Sequence, residues 1–171
     1  LFLSGNGLLL VDLEDCIGTE EDPILFKNNF IAGTDTNYAI CLDADRTSQL
    51  KIVNNSFYVI NNDGSGFQFG SKMTDLEVYN NIFHVYDQGK FITSYYEVDP
   101  TFKSDYNAYY STGESFFNFD RTEYSLSEWR DNFALDQNSL YTDPQYLSDS
   151  NLHITQAMAL NGVGTPLTWV T

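Results

Sequence analysis

Basic side chains are scarce. The chain of 171 residues has 8 Lys and Arg against 24 Asp and Glu, a net charge of −16. A phosphate backbone would be repelled by such a surface, which argues against nucleic-acid binding. A polyanionic substrate is disfavoured for the same reason unless Ca²⁺ bridges the like charges, and strong acidity suits hard-cation sites. Histidine is almost absent, with only His84 and His153, and there is no Gly-x-Ser-x-Gly elbow and no phosphate-binding loop. The two cysteines, Cys16 and Cys41, fit no zinc pattern. No apolar run approaches the roughly 18 residues of a membrane-spanning helix. GLLLV (7–11) is too short for that and reads as a strand. No signal-peptide pattern is present, and the chain starts without Met on LFLSGNG, which reads as the interior of a coil.

What is present is a repeat. ILFKNNFI (24–31), LKIVNNSF (50–57) and LEVYNNIF (76–83) share an Asn pair after a short apolar strand. Asn29, Asn55, Asn81 and Asn107 recur at a constant step of 26 residues. Three apolar columns keep that step: Ile24, Leu50, Leu76 and Phe102; Phe26, Ile52 and Val78, broken by Ser104; and Ile31, Phe57, Phe83 and Tyr109. A repeat of this length means stacked units, each burying its apolar face on its neighbours.

Within one copy the period is two. Leu50 and Ile52 alternate with Lys51, and Leu76 and Val78 with Glu77, as in half-buried strands. The Asn pair turns the chain, because Asn tolerates the left-handed region and bonds to nearby backbone. A second strand follows (57–60, 83–86), and a third lies beyond a loop (38–42, 66–69, 90–93). Three short strands per copy make one flat coil. Like residues then stack at about the strand spacing of 4.8 Å, and the four Asn form an inward ladder of amide hydrogen bonds. Cys16 and Cys41 are close to one coil apart, so adjacent-rung placement leaves open either a disulfide or two buried small hydrophobes. The sequon at Asn54 is read as a by-product of the repeat, and NNDGSG (61–66) as a turn rather than a calcium loop.

After Asn107 the repeat fails. Ser125 to Glu128 is a capping box, predicting a helix over 126–133 with Trp129 as a core anchor. Asp143-Pro144 marks a turn. Tyr146-Leu147 and Leu152-His153-Ile154 read as edge strands with His153 toward solvent, and His84 is also expected to face outward. The chain reads as one domain, coils over 1–110 and a closing coil and cap over 111–171.

With these motifs the chain resembles the right-handed parallel β-helix proteins of the pectate-lyase-like superfamily. SDYNAYY (104–110), the Trp-bearing segment and Asp-x-x-Ser of 125–147, and NLHI (151–154) resemble the closing section of many secreted bacterial members; AMALNGVG (157–164) departs from the usual Ser-Pro-Ala ending. The implied fold is an all-β, single-stranded right-handed solenoid of about 26 residues per coil with a short capping helix. The implied setting is secreted, periplasmic or cell-surface, and the implied ligand is a polysaccharide or surface glycan. The implied activity is a polysaccharide lyase acting on acidic glycans; the alternative is a non-catalytic adhesin or glycan-binding module. Look-alike lyases use a Lys or Arg base beside carboxylates that hold Ca²⁺ on the outer face of one sheet. Carried onto this sequence, Lys72 and Arg46 are the candidate bases. Asp43, Asp45, Glu97 and Asp99 are the candidate Ca²⁺ ligands, and Gln68, Tyr95 and Tyr96 the candidate sugar contacts. The alternative for the same residues is a solvated rim of exposed ion pairs. An uncovered first coil exposes strand edges, so N-terminal coils of a longer chain, or a second chain, are expected to cover it.

Overall fold

The computed structural model describes residues 2–5, 9–33, 40–60, 64–114, 116–154 and 158–168. The chain winds into a parallel β-solenoid. Its first sheet stacks β1 (Phe2–Gly5), β4 (Phe30–Gly33), β7 (Ser56–Val59), β10 (Ile82–Val85), β13 (Ala108–Ser111) and β16 (Leu140–Tyr141). The second stacks β2 (Leu9–Glu14), β5 (Ile40–Asp45), β8 (Ser65–Phe69), β11 (Lys90–Ser94) and β14 (Phe116–Phe119), closed by antiparallel β15 (Thr122–Tyr124). The third stacks β3 (Ile24–Lys27), β6 (Leu50–Val53), β9 (Glu77–Tyr79) and β12 (Lys103–Asp105). No helix among the described residues is long and apolar enough to cross a membrane.

The expected columns are the observed ones. Phe26, Ile52, Val78 and Ser104 lie in register in the third sheet, and Ile31, Phe57, Phe83 and Tyr109 in the first. The aromatic column stacks inside the coil: Phe57 on Phe83 at 4.8 Å and Phe83 on Tyr109 at 5.4 Å between ring centroids. Such contacts add to the burial of large apolar area. On the outside of the third sheet, Lys51 and Lys103 each pair with Glu77 at 3.3 Å.

The Asn ladder is complete over its four rungs. Nδ2 of Asn29, Asn55 and Asn81 donates to Oδ1 of the next Asn at 3.0, 3.0 and 3.2 Å. The same three oxygens accept the backbone N–H of the preceding rung at 3.0, 3.0 and 2.9 Å. The first residue of each pair makes the turn. Asn28, Asn54 and Asn80 have φ of 59°, 56° and 56°, and Tyr106 takes the same place at 56°. Asn adopts this left-handed region readily, whereas a bulky side chain pays about 1–2 kcal/mol. Tyr106→Asn is therefore expected to raise stability by about 1 kcal/mol in urea unfolding; a loss of stability would contradict this account of the turn.

The cap begins at Ser125, whose side chain accepts from Glu128 N while the Glu128 carboxylate accepts from the Ser125 backbone N–H at 2.8 Å. Helix α1 (Leu126–Phe133) then lays Trp129 over the last coil, fully buried, stacked on Phe117 at 4.8 Å and against Phe119 at 4.5 Å. Asp136, also fully buried, ends the Asn ladder. Its carboxylate accepts from Asn107 Nδ2 (3.1 Å), Tyr109 OH (3.0 Å), Ser139 Oγ (2.6 Å) and Trp129 Nε1 (2.9 Å). The last amide of the stack thus meets a carboxylate instead of a fifth amide.

Several expectations change. The closing coil continues the stack past Asn107: β13 is followed by β14 in the second sheet and by β16 in the first. The short strands expected near 146–147 and 152–154 pair with each other and not with the coils. They form an antiparallel hairpin of β17 (Tyr146–Ser148) and β18 (Asn151–Ile154). The hairpin packs Leu152 and Tyr146 on Ala32 and Tyr58 of the first sheet's outer face. His84 does point out of the coil, but into this second apolar layer rather than solvent. His153 is exposed, edge-on to Phe30 at 5.2 Å. Cys16 and Cys41 are both free thiols. Cys41 is buried with its Sγ at 3.6 Å from the Tyr58 carbonyl, and burial pushes its pKa up to about 12. Residues 61–63 of NNDGSG, 38–39 of the expected third strand and 155–157 of the C-terminal segment lie outside the described residues, as do 1 and 6–8 at the start.

Candidate functional site

The outer face of the second sheet carries a polar row. Asp12, Asp43, Gln68, Thr93 and Asn118 lie side by side on five successive strands. Inward neighbours Leu42, Phe67 and Ile92 are buried in the core, so alternation aims the polar residues outward. One position on, Glu14 pairs with Asp45 in the register, and beside Asp45 lies Gly70. A Cβ at Gly70 would come within 2.7 Å of Asp45 Cγ, so the bare glycine leaves room for that carboxylate. Ser71 Oγ donates to Asp45 Oδ1 at 3.2 Å. The chain leaves β11 through Tyr95 and Tyr96, which are 61% and 51% exposed. Together Asp12, Asp43, Gln68 and the tyrosine pair line an open groove of about 320 Å³.

A second groove of about 270 Å³ adjoins it, sharing Gly70 and Tyr96 and lined by Lys72, Glu97, Val98 and Asp99. The structure therefore distributes the residues singled out above over two connected grooves. Asp43, Asp45, Gln68, Tyr95 and Tyr96 lie in the first, and Lys72, Glu97 and Asp99 in the second with Tyr96. Among the described residues no three His, Cys, Asp or Glu side chains converge as a metal-binding group.

Arg46 stands at the rim. Its guanidinium donates to Asp15 Oδ1 at 2.7 Å and is paired with Glu14 and Asp45. The hydrogen bonds it donates to Asp15 and Glu14 hold its pKa above the ordinary arginine range, and the Arg46 hydrogen bond holds the Asp15 carboxyl below the ordinary carboxylate range. A guanidinium held this way orders the carboxylates around it and does not release a proton. Asp43 shifts the opposite way. Partial burial raises its pKa, and the neighbouring charge of Asp12 raises it further against hydrogen bonds from the Ala44 backbone and Gln68.

Asp12, Glu14 and Asp15 were not singled out in the sequence. Their strand pattern, VDLED (11–15), was visible, but the step from Asp15 to Arg46 is 31 residues, longer than the repeat. Their lateral alignment with Asp43 and Asp45 therefore could not be read from a 26-residue grid. The second sheet also departs from that grid at Asp43 and Gln68, which are partners only 25 residues apart.

No family model matches this chain, and no curated protein or solved structure matches it either. The parallel β-solenoid therefore stands on the structure itself, and the site on its own chemistry. Fold alone does not assign an activity, since one architecture hosts many sites.

Proposed function

We propose that the protein is a glycan-binding β-solenoid, related to the pectate-lyase-like β-helix proteins its sequence resembles, with the glycan lying across the outer face of the second sheet. One observation carries this reading. Two largely exposed tyrosines stand at the end of an open groove whose floor is a row of carboxyl and amide groups. Tyrosine rings bury the apolar faces of sugar rings, and the floor offers acceptors and donors for hydroxyl groups. An extended groove on a flat sheet face suits a linear polymer. The same resemblance is the ground for a secreted, periplasmic or cell-surface setting.

The groove's charge bears on the ligand. Asp12, Glu14, Asp43 and Asp45 face it, and Arg46 is already engaged by Glu14, Asp15 and Asp45. A neutral, hydroxyl-rich glycan fits this surface, whereas a uronate polymer needs a bridging cation. The test is affinity electrophoresis against neutral glucans, mannans and xylans, and against pectate and alginate with and without Ca²⁺. Tyr95→Ala and Tyr96→Ala are each expected to weaken retention about tenfold, the equivalent of about 1.4 kcal/mol. Retention that both variants leave unchanged would overturn the assignment of this groove.

Cleavage of the bound glycan is the second reading, and the raised pKa of Asp43 in a carboxylate-lined groove favours it. A carboxyl group raised in this way is the kind of group that serves as general acid at a glycosidic bond. In the lyase form of this reading Lys72 is the base, since it lines the adjoining groove while Arg46 is held by three carboxylates. Appearance of reducing ends, or of the ultraviolet absorbance of an unsaturated uronate, distinguishes the two forms on whichever polymer is retained.

A further inference from the structure

The strongest unexplained feature outside the groove is His84. It sits on the outer face of the first sheet, and both ring nitrogens are buried with no hydrogen-bond partner among the described residues. Its ring is enclosed by tyrosines. Tyr58 of β7 and Tyr110 of β13 meet it edge-on at 4.8 and 4.9 Å, Tyr146 of β17 stacks over it at 5.8 Å, and Tyr86, just past the end of its own strand, lies at 6.5 Å. A buried imidazole without a partner is costly, and a buried imidazolium costlier still.

The cover over His84 is the hairpin of residues 146–154. Among the described residues a small set of contacts holds it. Leu152 is buried, Tyr146 packs edge-on to Tyr58 at 6.1 Å, and Tyr58 OH donates to Asp149 Oδ1 at 3.1 Å. The only other histidine, His153 of β18, faces Phe30 and is exposed. The charged groups that act on His84 are Asp143, before the hairpin, and Asp149, at its turn.

We propose that the 146–154 hairpin is a pH-sensitive strap, closed over a neutral His84 and released when that imidazole takes up a proton. Burial lowers the His84 pKa from its ordinary value of 6.5, and the opposing pull of Asp143 and Asp149 is the smaller effect. The sign follows. The closed strap prefers the neutral ring, so its stability is fully present above about pH 6.5 and declines as pH falls below that value. Each unit by which the closed state depresses the pKa favours opening about tenfold once the ring is charged. Release uncovers the apolar layer of Ala32 and Tyr58 on the first sheet.

The experiment is amide hydrogen exchange over 146–154 between pH 7.5 and 5, corrected for the intrinsic pH dependence of exchange and paired with a proton NMR titration. With two histidines in the chain, the two imidazole signals are separately readable. Expected is a loss of protection of about tenfold or more across the strap, tracking the titration of the His84 signal. His84→Phe keeps an aromatic ring and removes the titration, and is expected to hold the strap closed throughout the range. His84→Gln serves the same purpose should the Phe variant not fold. Protection independent of pH in the native chain, or an unchanged pH dependence in the folded variant, would overturn the strap.

Discussion

Asp136→Ala is expected to remove about 3–5 kcal/mol of stability, the scale of breaking a buried charged network. The carboxylate has no solvent exposure and is the shared acceptor for Asn107 Nδ2, Tyr109 OH, Ser139 Oγ and Trp129 Nε1. Alanine leaves these donors facing a void, and each orphaned buried group costs about 1–3 kcal/mol. The sum is limited because Tyr109 and Ser139 can rotate toward other acceptors. Asp136 also joins the ladder to the helix, since its backbone carbonyl accepts from Arg130 Nε at 2.7 Å. Asp136→Asn is the informative companion. Oδ1 can still receive Asn107, but an amide nitrogen then faces the Trp129 N–H, so the loss is smaller than for alanine and not zero. Urea unfolding followed by far-ultraviolet circular dichroism measures both. A loss under about 1 kcal/mol for alanine would mean that the network adds little beyond its own desolvation.

Asn81→Ala is the second large effect, expected at about 3–4 kcal/mol from two stranded donors and three stranded acceptors, of which the Tyr79 carbonyl is only partly buried. Asn81 Oδ1 receives both the backbone N–H and Nδ2 of Asn55, and its own Nδ2 donates to the Ile52 carbonyl at 2.7 Å and to Asn107 Oδ1 at 3.2 Å. All of these groups lie in the sealed interior of the coil. The internal control is Asn29→Ala at the other end of the ladder. Asn29 is only partly buried, and among the described residues its backbone N–H and Nδ2 both donate to Asn55 Oδ1. Its loss is expected at about 1 kcal/mol. Equal losses at the two positions would contradict a ladder whose strength comes from its buried middle.

The parts of the molecule that the sequence disclosed are those governed by translation along the stack. Asn55 predicts Asn81 because both sit one coil apart in the same turn, and Leu50 predicts Leu76 for the same reason. Trp129 was legible through a local rule, the capping box that starts its helix. The parts it concealed depend on contacts between segments with no shared period. Asp136 was visible only as the first residue of an Asp-x-x-Ser segment, and nothing in that spelling tells that Asn107 and Trp129 converge on it. His84 alternates with Phe83 and Val85, which places it outside the coil, but its cover comes from Tyr146, more than two coils further along the chain. In the groove, the family resemblance pointed to Asp43, Asp45, Gln68, Tyr95 and Tyr96. A 26-residue step misses Asp12 and Glu14 because the first coil is longer than the rest, and from Asp45 it falls on Ser71 while Gly70 occupies the adjoining place and gives the carboxylate its room.

These differences follow from physical scale. A stacked repeat is held by many similar short-range contacts, so its pattern is written redundantly. A cap, a strap or a groove wall occurs once, and a single loop insertion shifts its register without disturbing the core.

The most direct test of the central claim is an NMR chemical-shift map of the protein titrated with an oligosaccharide of the polymer it retains. The account predicts that the amides of Asp43, Gln68, Gly70, Tyr95 and Tyr96 move together with one saturation curve, while His84 and Tyr110 on the first sheet stay still. Shifts centred on the first sheet or on the cap, or no saturable shift with any retained polymer, would contradict it.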